Sequence, residues 1–156
     1  RVSTFSICCS EKLRNQKSNC NSIYVFVKSN RHQKNKLQYR NGIVMTLPYG
    51  SNSSITISKY AVEGLKKIYK KKIEYKKAGV IVMGLVPNNR TQLNIFEKEN
   101  PKHQTLMKTL DFIAKKEGPS KVKLASQDLK RIWKMKQTKL SSRYTTELNE
   151  TISIKG

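Results

Sequence analysis

Acidic side chains are scarce in this sequence: 10 Asp and Glu stand against 32 Lys and Arg, which leaves a formal net charge of +22. A folded chain with that charge repels itself, and an anionic partner relieves the repulsion. Nucleic acid is the usual partner of so basic a chain, ahead of a membrane surface or an acidic protein. The excess is greatest in residues 1–86, which hold 17 of the basic and 3 of the acidic side chains.

Residues that commonly carry catalysis are also few. The two histidines, His32 and His103, lie in polar stretches, and the sequence has no phosphate-cradling glycine loop and no defensible Ser-His-Asp set. The two aspartates, Asp111 and Asp128, fall on predicted helices beside basic residues, where we expect solvated charges. We therefore predict no catalytic residues and no metal site in this chain.

The cysteines, the apolar runs and the first residues of the chain give no indication of a zinc site, a membrane span or a signal peptide. Cys8, Cys9 and Cys20 form no CxxC pair for zinc, and we expect free thiols in a reducing cytoplasm. No apolar run approaches the 18 residues or so that a membrane span needs. The first residues lack Met and any signal-peptide design, so the chain reads as a fragment of a longer protein.

Hydrophobic periodicity predicts an α+β fold. The predicted elements are a helix over 2–16, strands over 22–28 and 42–48, a helix from about Ile57 and a strand over 78–86. One further strand before Arg1 would complete a β-α-β-β-α-β, or split βαβ, antiparallel sheet with two helices on one face. The apolar face of the first helix is predicted at Phe5, Cys8, Cys9 and Leu13.

The remaining chain is predicted to be mostly helical. A helix over 102–118 would turn Leu106, Leu110 and Ile113 inward and end at Gly118, a short strand is expected over 121–126, and another helix over 127–140. The second of these helices would be anchored by Leu129, Ile132, Trp133 and Leu140. The expected division is therefore a domain over 1–86, a linker over 87–101 and a helical segment over 102–156.

Basic side chains cluster at two predicted places: the connection between the first two strands, where His32 and Tyr39 are interleaved, and the outer face of the second helix. Long cationic side chains there suit phosphate contact without sequence preference. The alternative is a merely solvated basic surface. The candidate DNA-binding residues are Lys28, Arg31, Lys34, Lys36, Arg40, Lys59, Lys66, Lys67 and Lys70, with Lys71 beside them.

An apolar pentapeptide, QLNIF, follows a turn-like stretch at 87–89 and precedes an acidic, proline-ended stretch. One interpretation is a small strand that folds back on the domain. The other is a linear docking motif whose apolar anchors enter a pocket of a partner. Its residues are Gln92, Leu93, Asn94, Ile95 and Phe96.

Three stretches resemble one family. QLNIF resembles the pentapeptide by which bacterial proteins bind the sliding clamp, with Ile95 in place of the usual Leu. The stretch YKKAGVIVMGLVPNNRTQLNIF resembles the end of the little-finger domain of UmuC-type Y-family DNA polymerases, and WKMKQTKLSSRYTT resembles their C-terminal segment. Nearly the whole chain is thus similar to the C-terminal part of the UmuC-type error-prone polymerases, the polymerase V type.

The resemblance implies a little finger that grips primer-template DNA and docks on the sliding clamp during translesion synthesis in the SOS response. It implies cleaved UmuD and RecA as further partners, and a palm before Arg1 that uses Mg²⁺. This chain would then have no polymerase activity alone and no cofactor of its own. Two alternatives stay open: a free-standing basic RNA-binding or ribosome-associated protein, and a truncated product without activity.

Overall fold

The computed structural model describes residues 1–33, 35–90, 100–118, 121–128 and 138–151. Its helices and strands are α1 (Val2–Asn15), β1 (Ser18–Ser29), β2 (Arg40–Ser51), α2 (Ser54–Ile68), β3 (Tyr75–Pro87) and α3 (Pro101–Glu117). Short 3₁₀ turns follow at Asn88–Arg90 and Leu148–Glu150. The predicted order of helix, strand, strand, helix, strand is confirmed.

The three strands form one antiparallel sheet in the order β2-β1-β3. Because β2 and β3 both run antiparallel to β1, they are parallel to each other with β1 between them. Helix α2 connects these two strands, which makes a split β-α-β unit. The α+β class predicted from the sequence is confirmed, and the strand expected before Arg1 stays a prediction.

Both α1 and α2 pack on one face of the sheet, and the core lies between the two layers. Gly64 allows α2 to approach the sheet closely, because a Cβ there would lie 2.9 Å from Met45 Cγ. Burial raises the pKa of the Cys20 thiol to about 12, so the side chain is neutral in the core. The buried cluster comprises Val2, Leu13, Cys20, Ile23, Val25, Val27, Leu47, Ile57, Ala61 and Ile68.

The buried stripe of α1 differs from the predicted one. Phe5, Cys8 and Cys9 are only half-buried, whereas Ser6 and Ser10 are fully buried. These two hydroxyls donate to carbonyl oxygens one turn earlier in the helix, at 2.7 and 2.8 Å. A serine paired in this way satisfies its own polar group, and it can therefore occupy a close helix contact that an apolar pattern does not reveal.

Several predicted boundaries need correction. All three strands extend further than their apolar stretches, and α2 begins at Ser54 rather than near Ile57. Helix α2 ends at Ile68, where the Tyr39 hydroxyl donates to the Ile68 carbonyl at 2.8 Å. Lys70 and Lys71 thus lie beyond the helix and not on its outer face.

Helix α3 is confirmed, including its end at Gly118, which adopts a φ of 97°. Its inward face was predicted wrongly at one position: Met107 is buried at 1% exposure, whereas Leu106 is 41% exposed. Residues 121–126 form bends and a turn instead of the predicted strand. Most of the helix predicted over 127–140 lies outside the described residues.

Several contacts hold the described part of the C-terminal segment against the helical layer. Arg14 of α1 donates two hydrogen bonds to the Asp111 carboxylate of α3, so the prediction of a solvated Asp111 is wrong. Further along, Ser126 accepts a hydrogen bond from Ser3 through its carbonyl and contacts the Ser58 hydroxyl. None of the described helices packs on the other face of the sheet, which we call the open face.

Candidate nucleic-acid interface

The open face of the sheet is built by alternate residues of the three strands, which turn away from the core. Strand pairing places them in four rows, each with one residue from β2, β1 and β3. The rows are Thr46, Ser22 and Met83; Val44, Tyr24 and Ile81; Gly42, Phe26 and Gly79; and Arg40, Lys28 and Lys77. Apolar and aromatic side chains thus occupy the middle, a cationic row lies at one end, and no carboxylate is among them.

Two glycines shape the middle of this face. A Cβ on Gly42 would lie 2.2 Å from Tyr24 Oη, and a Cβ on Gly79 would lie 2.4 Å from Phe26 Cζ. Each ring therefore occupies the space above a neighbouring strand that a side chain would otherwise fill. Tyr24 and Phe26 are stacked, with ring centroids 5.9 Å apart and planes inclined by 27°.

The cationic row consists of Arg40, Lys28 and Lys77, which are direct neighbours across the three strands. We call these three residues the basic row. Lys28 Nζ lies 5.2 Å from the centroid of the Phe26 ring, so the row is continuous with the aromatic pair. Arg40 and Lys77 are exposed to solvent. Three adjacent cations on one face of the sheet suit contact with phosphates of a nucleic-acid backbone.

The connection between β1 and β2 lies at the same end of the sheet as the basic row. Arg31 is exposed there, and Lys36 pairs with Glu74 at 2.6 Å between two exposed side chains. Lys70 also reaches this end, with Nζ 5.0 Å from the centroid of the Tyr39 ring. Lys34 lies outside the described residues. The structure therefore brings together the sequence-predicted residues Lys28, Arg31, Lys36, Arg40 and Lys70.

The remaining candidates lie in a different layer. Lys59, Lys66 and Lys67 are exposed on α2, which covers the opposite face of the sheet. Beside Lys59 and Lys66 is a shallow cavity of about 360 Å³ between α2 and the segment 124–126. These lysines are therefore separated from the basic row by the thickness of the two-layer domain.

Sequence reasoning missed Lys77 and the aromatic pair. A signal for the aromatic pair was present in the alternation of residues along the predicted strand over 22–28, which places Tyr24 and Phe26 on one side. Their juxtaposition with Lys77 depends on the register between β1 and β3, because Lys28 pairs with Lys77. The pairing register of two strands that are far apart in the sequence cannot be derived from the hydrophobic pattern of either strand alone.

The candidate clamp-binding residues Gln92, Leu93, Asn94, Ile95 and Phe96 lie outside the described residues. The Ser-x-Arg-Tyr-Thr-Thr stretch is described. Its Arg143 donates to Glu150 from both the backbone, at 2.5 Å, and the guanidinium, at 2.9 Å. These bonds hold the pKa of the Glu150 carboxyl below its usual value. Arg143 is thus engaged within its own turn.

The described ranges contain neither a candidate metal centre nor a membrane-spanning helix. Within them, no cluster of three or more His, Cys, Asp or Glu side chains is arranged to hold a metal ion. No helix in the described part of the chain has the length and apolar character to cross a bilayer. Cys8, Cys9 and Cys20 are free thiols, and burial raises the pKa of Cys9 as well as that of Cys20.

Comparison with known families divides the chain into two parts. Residues 2–95 match the impB/mucB/samB family C-terminal domain. Residues 104–154 match a domain of unknown function, DUF4113. The first match contains both helices and all three strands of the sheet domain, and the second begins within α3.

Curated relatives match over nearly the whole chain. Protein UmuC of Salmonella typhimurium (strain LT2) is 32% identical over 156 residues, which cover 99% of this chain and 37% of that protein. Protein ImpB of Salmonella typhimurium is 31% identical over 88% of this chain and 32% of its own length. Protein MucB of Escherichia coli is 30% identical over 94% of this chain and 34% of its own length. The chain thus spans about a third of the length of these relatives, and no solved structure matches it.

Proposed function

This chain belongs to the impB/mucB/samB family, whose C-terminal domain it carries, and we propose that it is the DNA-holding C-terminal region of an error-prone translesion polymerase. The similarity to Protein UmuC along 99% of the chain supports this proposal. In the parent protein the sheet domain over 1–86 would act as the little finger, 87–101 as the linker and 102–156 as the C-terminal segment. Mg²⁺ chemistry would belong to a palm in the parent protein.

The single observation that carries the proposal is the basic row. Arg40, Lys28 and Lys77 lie side by side on a face that the helices leave open. Arg31 and Lys70 add positive charge at the same end of the sheet, where Lys36 is paired with Glu74. Contacts of this kind go to phosphates, which position a duplex without reading its sequence. The proposed ligand is therefore primer-template DNA bound through its backbone.

Further partners are proposed from the resemblance of the sequence. QLNIF, residues 92–96, would dock on the sliding clamp and bring the polymerase to the replication site. Cleaved UmuD and RecA would contact the parent protein in the SOS response. The proposed clamp contact lies within five consecutive residues, so substitutions in this pentapeptide test it directly.

Duplex binding is tested through its dependence on salt. Each phosphate neutralised contributes about 0.9 to the slope of log affinity against log salt concentration, so five or six contacts give a slope of roughly −5. The triple variant Lys28→Gln, Arg40→Gln, Lys77→Gln should bind a labelled duplex more weakly, with a slope shallower by about 2 to 3. Fluorescence anisotropy at four or more salt concentrations measures this.

A matched control removes the same charge elsewhere. Lys108, Lys115 and Lys116 are exposed on α3, and their change to Gln should leave the slope within about 1 of the parent value. If both triple variants lower the slope equally, binding follows net charge alone and the basic row is not the DNA surface. A double-stranded RNA of equal length distinguishes the RNA-binding alternative, because it would then bind more tightly than the DNA.

A further inference from the structure

The middle of the open sheet face has features that backbone contact does not require. Tyr24 and Phe26 lie over glycines instead of packing into the core, and the flanking Val44 and Ile81 are 52% and 50% exposed. Phosphates do not need aromatic neighbours. The geometry points to a second binding site here, in which Tyr24 and Phe26 stack on the bases of single-stranded nucleic acid.

The glycines are the structural reason for this assignment. Because Gly42 and Gly79 lack a Cβ, the two rings can lean across the neighbouring strands and cover the backbone. A larger residue at either position would collide with a ring at the distances given above. The rings are thus spread over the surface as a platform, and bases stack on such aromatic surfaces without strong sequence preference.

The position of the cations supports a nucleic-acid occupant over an apolar peptide. Lys28 is one row from Phe26 along β1, and its Nζ lies 5.2 Å from the ring centroid. Arg40 and Lys77 flank it on β2 and β3. A strand whose bases lie on the rings would place its phosphates near these charges, which is the combination that single-strand-binding surfaces use. The absence of carboxylates among the outward residues of the described strands agrees with an anionic ligand.

This inference rests on the proposed phosphate contacts of the basic row, but it makes a different prediction. Stacking is weakly dependent on salt, whereas phosphate contact is strongly dependent on it. A variant that loses stacking should therefore lower affinity by the same factor at each salt concentration. A variant that loses phosphate contacts should change the slope.

The test uses the full 156-residue chain and a labelled oligothymidine, with a duplex of similar length in parallel. Tyr24→Leu, Phe26→Leu keeps apolar cover over the glycines but removes the aromatic faces. This double variant should bind oligothymidine about tenfold more weakly, which is near the low end of the loss measured when one base loses its aromatic partner. The slope of affinity against salt concentration should stay unchanged. Affinity for the duplex should stay within about twofold. Tyr144→Leu, which removes an exposed tyrosine from the C-terminal segment, is the matched control and should change neither.

Each failure has a distinct meaning. Unchanged oligothymidine affinity in the double Leu variant overturns the stacking site, and an equal loss on both ligands overturns its selectivity for single strands. If the basic-row variant changes the salt slope of duplex binding while the double Leu variant changes nothing, the proposal of duplex binding stands and the proposal of base stacking falls. If the double Leu variant does not fold, the double variant Phe26→Trp, Trp133→Phe provides a second measurement, because its single tryptophan is then at position 26. Oligothymidine should quench the fluorescence of this tryptophan, and an absence of quenching at saturation contradicts the inference.

Discussion

At the scale of single residues, buried and half-buried polar groups connect parts of the chain that are distant in sequence. The Arg14 side chain is 11% exposed and makes four hydrogen bonds. Two go to the Asp111 carboxylate at 2.6 and 2.7 Å, one to the Asn52 carbonyl at 2.9 Å and one to the Ser54 hydroxyl at 3.0 Å. One guanidinium thus joins α1, the start of α2 and α3.

The sequence does not reveal this arrangement. The sequence predicts a solvated charge at Asp111 because the basic residues Lys108 and Lys115 lie one turn away on the same helix, and such helix charges usually face water. Its partner lies 97 positions earlier. The pairing depends on how α3 docks, which follows from the burial of Met107 and not from any local pattern.

We expect Asp111→Ala to destabilise the folded chain by about 1–3 kcal/mol, because it leaves two donors of a largely buried guanidinium without their acceptor. Glu117→Ala, an exposed carboxylate on the same helix, should change the free energy of unfolding by less than about 0.5 kcal/mol. Urea denaturation followed by circular dichroism measures both. Equal effects of the two substitutions would mean that the Arg14 pair does not hold α3 in place.

At the scale of elements, order and type were more predictable than orientation. Alternating and helical periods identified the five elements of the sheet domain, because each has a face buried by the two-layer packing. The inward faces were less accurate where serine or methionine occupies the contact. Ser6 and Ser10 are buried with their hydroxyls satisfied inside α1, and such positions carry no hydrophobic signal.

The contact of α2 with the sheet depends on a missing side chain. Gly64 faces Met45, Ile43 and Val25, with the three nearest distances to a built Cβ at 2.9, 3.4 and 3.4 Å. Glycine inside a helix is unfavourable by about 1 kcal/mol relative to alanine. Its presence here is explained by close packing.

These two effects oppose each other in Gly64→Ala. Alanine favours the helix, but its Cβ would meet Met45 Cγ at 2.9 Å, near the root of that side chain, which has to shift. We therefore expect a net change in unfolding free energy under about 1 kcal/mol. Gly64→Leu cannot be accommodated in this way and should destabilise by about 1–3 kcal/mol. Lys67→Leu places the same side chain at an exposed position of α2 and serves as the control. Thermal unfolding of the three variants tests the packing. A stable Gly64→Leu variant would show that α2 lies further from the sheet.

At the scale of the whole molecule, the two faces of the sheet domain have different surroundings. The helical layer is covered further by α3 and by the segment around Ser126, whereas none of the described helices packs on the opposite face, which carries the aromatic pair and the basic row. Helix α3 and the stretch around Ser126 therefore contact the domain on its helical side, opposite to the proposed DNA surface. No local pattern in the sequence shows which face α3 and the stretch around Ser126 cover, because that depends on contacts between residues more than 90 positions apart.

The clamp proposal belongs to this scale, since it concerns a segment between the two matched regions. Leu93, Ile95 and Phe96 would be buried on another protein, and full burial of each such side chain is worth about 1.5–3 kcal/mol. Ordering the peptide and losing free motion offset much of that gain. A single motif should therefore bind a bacterial sliding clamp with a Kd on the order of micromolar. DNA contacts would add avidity in the assembled complex.

The double variant Leu93→Ala, Phe96→Ala should abolish clamp binding measured by calorimetry, while duplex affinity and thermal stability stay at the parent values. Asn94→Ala changes the polar position between the anchors and should retain most of the binding. Loss of stability in the double variant would identify the pentapeptide as part of the folded core, which is the alternative interpretation of the same residues. Normal clamp binding in a folded double variant would place the contact elsewhere in the chain, with residues beyond Pro101 as the next region to alter.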